Sequence, residues 1–133
     1  MRFLKGVVLH GLGPKIFDAM DAIDGVYWSI LGFDLTVTSG REGRHSLDSK
    51  HYFRPHDPDR WPSTRTGSQG AFDCRTWPNP WTPGQWFPAK RKMIADAIRH
   101  ALDDLHPKEF WVLEEKTHIH VQHDPILRAA LEV

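Results

Sequence analysis

Three stretches of this chain carry side chains that bind metals and move protons: Ser49-Lys50-His51-Tyr52, Gln69-Gly70-Ala71-Phe72-Asp73-Cys74-Arg75, and His118-Ile119-His120 near the end. Two histidines and an aspartate form a ligand set that leaves a zinc ion one open position for water. The carboxylates of Glu114-Glu115 lie just upstream of the last histidines, where a general base for that water would stand. The order His, Asp, Glu, His-x-His predicts metal-assisted hydrolysis.

Each piece also has an ordinary structural explanation. In a β-strand, residues two apart share a face, so His118 and His120 emerge together while His123 falls on the opposite face and is not counted as a ligand. Asp73 sits in an otherwise apolar strand, where an unpartnered carboxylate is costly to bury. It either pairs with a neighbour such as Arg75 or holds a metal. His51 lies in a polar loop, where an isolated histidine is ordinarily solvated and inert. Together, the three segments supply two imidazoles, one carboxylate and a spare carboxylate from distant parts of the chain.

The stretches from Thr38 to Tyr52 (TSGREGRHSLDSKHY), Ala71 to Arg75 (AFDCR) and Glu115 to Gln122 (EKTHIHVQ) resemble the zinc peptidases of the D-alanyl-D-alanine carboxypeptidase and hedgehog superfamily. Their signature is Ser-x-His followed by Gly-x-Ala-x-Asp, then a Glu with His-x-His. The similarity runs from about Thr36 to Asp124 and is greatest to small bacteriophage and prophage members, which cut peptides of bacterial peptidoglycan. It implies that His51, Asp73 and His120 bind Zn2+, that Glu115 or Glu114 is the base, with Glu115 favoured, and that His118 binds substrate or stabilises the oxyanion. The stem peptides of peptidoglycan carry free carboxylates, so Arg41, Arg44 and Ser49 are the candidate substrate-binding residues, with Arg41 or Arg44 as the anchor; the alternative reading of both arginines is as surface residues.

The chain departs from that family in two ways. The short turn between the first histidine and the aspartate is lengthened by 53–68, which contains Pro55, Pro58, Trp61, Pro62 and Gly67. The glycine position of the motif aligns with Gln69, one residue before Gly70. A loop can lengthen at small entropic cost while its ends stay in place. The insertion is expected to form a semi-rigid flap beside the metal, with His56 and Asp57 as substitute ligands. The expected chemistry is amide hydrolysis by a zinc-activated water, deprotonated by the glutamate, with His118 or Arg41 supporting the developing oxyanion.

Two further readings belong to other classes. One is a non-catalytic metal-binding or cell-wall-binding phage component of the same fold. The other is a cupin-like metal barrel, which also uses His-x-His; the helical segments and the lack of closely repeated strands speak against it.

The elements that must position these residues are legible in outline. Ile16, Met20, Ile23, Tyr27 and Ile30 make a helical stripe after Pro14. A short β-type run, 35–38, ends at Ser39-Gly40, and 41–88 is mostly loop chemistry broken by a strand over 70–74. A second helix spans about 89–105, with Met93, Ile94, Ala97, Ile98, Ala101, Leu102 and Leu105 on its apolar face and Arg99 turned outward. Residues 110–113 and 118–121 read as a hairpin, and 124–131 as a short tail helix begun by Asp124 and Pro125. Trp77, Trp81 and Trp86 read either as packing for the Pro-rich run before the second helix or as an aromatic wall of a substrate groove. The predicted fold is α+β: a small antiparallel sheet, two main helices and long loops around a zinc cleft, like the hedgehog and DD-peptidase domains.

Composition bounds the rest. A chain of 133 residues is one domain, 1–133, large enough for an ordinary core. Zero formal charge leaves no footprint for nucleic acid, and Lys90-Arg91-Lys92 reads as a solvated face. The single Cys74 excludes an internal disulfide and a cysteine-built zinc site. No apolar run is long enough to span a bilayer, and the N-terminus lacks a signal-peptide core. The expectation is a monomer made in the bacterial cytoplasm without its own signal peptide. It would act on peptidoglycan peptides of the cell wall, either free or as part of a virion, without membrane insertion.

Overall fold

A computed structural model describes residues 1–40, 69–76, 88–115, 118–125 and 128–129. The sequence-predicted residues Arg41, Arg44, Ser49, His51, His56 and Asp57, the insertion 53–68, and Trp77, Trp81 and Trp86 lie outside the described residues.

The elements in chain order are β1 (Arg2–Phe3), α1 (Pro14–Leu31), β2 (Thr36–Ser39), β3 (Gly70–Arg75), α2 (Pro88–Leu105), β4 (Phe110–Glu114) and β5 (His118–His123). The strands form one sheet in the order β1-β2-β3-β5-β4. All pairings are antiparallel except β1 with β2, which is parallel, so the architecture is α+β with a mixed sheet. The expected sheet was antiparallel throughout. The parallel pair comes from β1, a strand of two exposed residues that carries no alternating pattern to read.

Alternation along the strands divides the sheet cleanly. Val37, Phe72, Cys74, Phe110, Val112, Ile119 and Val121 belong to the buried core. Against them pack Ile16, Ala19, Met20, Ile23 and Tyr27 of α1 and Ile94, Ala95, Ile98 and Leu102 of α2. Burial of these side chains removes apolar surface from water and is the main force holding helices to sheet. The stripes are less buried than expected at three positions: Ile30 and Leu105 are exposed at their helix ends, and Met93 is exposed beside the fully buried Ile94, on the flank of the apolar face. Arg91 corrects the reading of the basic cluster, since its side chain is only 15% exposed and its Nε lies 3.7 Å from Glu114 Oε1. Arg99 likewise does not simply point outward: Nη2 donates to the Val112 carbonyl at 2.9 Å and Nη1 to Asp96 at 2.7 Å.

The start of α1 is fixed from far along the chain. Pro14 occupies the first turn, and Gly13 at the N-cap has no side chain to cap with. Gln69 does this instead: its Oε1 accepts the Lys15 amide at 2.7 Å and its carbonyl accepts the Gly13 amide at 2.8 Å. A Cβ at position 13 would come within 2.5 Å of the Gln69 side chain, so the approach requires glycine. The helix ends on Gly32, whose left-handed φ of 74° lets its amide return to the Trp28 carbonyl. At the other end of the chain, Arg128 N–H donates to the Asp124 carbonyl at 3.1 Å, a helical turn where the tail helix was expected. Arg128 also grips both oxygens of Asp103, at 2.9 and 3.1 Å, fastening the tail to α2.

Candidate active site

The face of the sheet turned away from the helices carries the chemistry. On β3, Phe72 and Cys74 enter the core, so Asp73 projects to the other face; on β5, Ile119 and Val121 do the same for His118 and His120. Register then brings the two strands' polar residues together, since Asp73 pairs with His120 and Arg75 with His118. Asp73 Oδ1 stands 2.8 Å from His120 Nδ1 and 3.8 Å from His118 Nε2. Glu115, in the turn after β4, is joined to β5 by its amide, which donates to the His118 carbonyl at 2.9 Å. Its Oε2 lies 3.1 Å from His118 Nε2.

Glu114, one residue earlier, faces the helices and the Arg91 guanidinium. Of the two candidate bases, only Glu115 shares a face with Asp73, His118 and His120. The Asp73 carboxylate meets the two imidazoles of His120 and His118.

Burial pulls the pKa of His120 down, but the hydrogen bond and charge of Asp73 outweigh it, helped by Gln122 and the charge of Glu115, so the value lies above the ordinary one. His120 Nε2 is 2.8 Å from Gln122 Oε1, and Gln122 Nε2 donates to Asp124 Oδ2 at 3.0 Å. Gln122 was not singled out in the sequence, and Asp124 was read only as the start of the tail helix. The signal available was the same two-residue period that joins His118 to His120 and continues through both.

His123 belongs elsewhere, as strand alternation predicts. It is almost fully buried, edge-on to Phe110 with ring centroids 5.2 Å apart. The Gln69 amide donates to its Nδ1 at 3.1 Å, so the ring proton is on Nε2 and is directed at Glu109 Oε1, 2.8 Å away. Lys15 Nζ reaches the same carboxylate oxygen at 2.5 Å. This cluster joins α1 to the entries of β3 and β4, and sequence reading missed it because its members are scattered.

Zinc ligands lie about 2.0–2.1 Å from the ion, so tetrahedral neighbours are about 3.3–3.4 Å apart. The Asp73–His120 pair is closer than that and is a direct hydrogen bond, yet its donor types and shared facing suit two of the three expected ligands. The third, His51, lies outside the described residues. Among the described residues, no group of three or more histidine, cysteine or acidic side chains is arranged to hold a metal. The described residues thus supply two donors of the types a metal takes and do not by themselves make up a metal site. The motif's glycine, expected at the position of Gln69, has its backbone requirement one residue on: Gly70 has φ 118°, a conformation L side chains rarely adopt.

Cys74 has no part in this site. It is fully buried in the core, and burial, followed by the charge of Asp73, pushes its thiol pKa well up, so it is no nucleophile. No helix among the described residues is long and apolar enough to cross a membrane. Comparison with known proteins finds no matching family model, no matching curated protein and no matching solved structure.

Proposed function

We propose that this protein is a zinc peptidase that hydrolyses an amide bond in the stem peptides or cross-links of bacterial peptidoglycan, in the manner of a phage lysin. The observation that carries the reading is the meeting of Asp73 and His120 across β3 and β5, with His118 and Glu115 on the same face. The resemblance to the D-alanyl-D-alanine carboxypeptidase and hedgehog superfamily assigns chemistry to the same four residues.

In this reading Asp73 and His120 hold the metal together with His51. Bound zinc would supply Lewis-acid activation of water and of the scissile carbonyl. Glu115 takes the proton of the attacking water and passes it to the leaving amine, a role suited to a carboxylate with one imidazole neighbour and access to solvent. His118, between Asp73 and Glu115, donates a hydrogen bond from Nε2 to the carbonyl oxygen as negative charge develops there. Arg41, Arg44 and Ser49 are assigned to the free carboxylates of the stem peptide, which planar guanidinium groups bind well.

Metal analysis of the purified chain and of His51→Ala, Asp73→Ala and His120→Ala tests the ligand set. The expected result is about one zinc per wild-type chain, from a three-ligand site, and loss of metal in each variant. Full zinc in His51→Ala together with loss in His56→Ala would transfer the first ligand to the insertion. A wild-type chain that takes up no zinc would end the proposal.

A further inference from the structure

We infer that Gln122 is a positioning residue, fixing His120 so that Nδ1 is the nitrogen offered to the metal. This rests on the zinc-site reading above and names a residue that the resemblance does not assign.

Asp124 is a residue 4% exposed whose Oδ2 lies 3.0 Å from Gln122 Nε2. A carboxylate accepts hydrogen bonds and does not donate them, so Gln122 must direct its NH2 group toward Asp124. The amide cannot flip without setting its oxygen against a carboxylate oxygen. With the NH2 group committed, the amide oxygen faces His120 Nε2 at 2.8 Å. An oxygen at that position accepts, so Nε2 carries a proton. Nδ1, which donates to the Asp73 carboxylate at 2.8 Å, is then the nitrogen that a metal would take by displacing its proton, next to the Asp73 oxygen.

Outer partners of this kind commonly fix the tautomer and ring orientation of a metal-binding histidine. Gln122 is itself well held: it is 7% exposed and sits on β5 opposite Trp111 of β4. The strand period places His118, His120 and Gln122 on one face, so His120 has a metal-side nitrogen and a Gln122-side nitrogen by construction of the strand.

The test joins zinc titration of wild type, Gln122→Met and Asp124→Asn with 15N NMR of the histidine rings in zinc-loaded protein. Gln122→Met keeps length and removes the hydrogen bond. It is expected to weaken zinc binding roughly tenfold or more, the usual effect of losing an outer partner. Asp124→Asn relaxes the amide orientation and should weaken it less. In the wild-type spectrum His120 is expected to show a proton on Nε2 and the metal on Nδ1, a result that does not depend on any variant folding. Metal on Nε2, or equal zinc affinity in wild type and a folded Gln122→Met, would overturn the role of Gln122 alone. A wild-type chain that binds no zinc would instead overturn the metal reading, and this inference with it.

Discussion

Glu114 and Glu115 are chain neighbours with opposite surroundings, one against Arg91 beneath the sheet and one against His118 on the site face. Glu115→Gln is accordingly expected to keep zinc and fold while losing on the order of a hundredfold or more in turnover, because the amide preserves size and removes the base. Glu114→Gln should change turnover little. Kinetics and metal content of the two variants check this, and the reverse ranking would mean that the wrong carboxylate has been assigned. At this scale the sequence was informative wherever a period of two applied. It separates His123 from His118 and His120, and it says that only one of Glu114 and Glu115 faces the site, while the structure decides that it is Glu115. The same period runs on through Gln122 and Asp124, but an amide and a carboxylate at the end of a strand do not by themselves mark a site.

The elements hold these residues in place through the core and through a polar clamp. Ile98 is fully buried between α2 and the sheet, so Ile98→Ala should cost about 2–5 kcal/mol of stability. Denaturant unfolding measures that, and a loss well under 1 kcal/mol would contradict the packing described. The clamp of His123, Glu109 and Lys15 gives a pH dependence. Burial, partly opposed by Glu109, lowers the pKa of His123; burial raises that of Glu109, but Lys15 and His123 overcome it and lower the value. Both groups thus bind protons more readily when unfolded. Their contribution is present above their unfolded pKa values and is lost on acidification, starting near pH 6.5 for the histidine. A glutamine can accept the Gln69 amide and donate to Glu109 without titrating. His123→Gln should therefore show a smaller loss of stability between pH 7.5 and 5.5 than wild type, and an unchanged slope would contradict the assignment. Both helices were legible from apolar spacing, because their faces repeat at the helical period. The two-residue β1 was not, and neither was the capping of α1 by Gln69, since the partners are 54 residues apart.

For the molecule as a whole, an α+β domain with a mixed five-stranded sheet presents helices on one face and a carboxylate–imidazole cluster on the other. The coarse class followed from two helical stripes, short β-type runs and loop chemistry between them. The sheet order did not, because nothing in the local pattern says that β5 lies between β3 and β4. That order matters to the site, since it sets Asp73 directly across from His120. The proposed activity is hydrolysis of cell-wall peptides at this cluster. Zinc-loaded protein incubated with purified peptidoglycan, with the new amino termini identified by mass spectrometry, tests it most directly. New termini are expected at one type of peptide bond, abolished by chelation and by Glu115→Gln. Zinc-loaded, folded wild type that releases no new termini would contradict the proposal and leave a metal-binding protein without this activity.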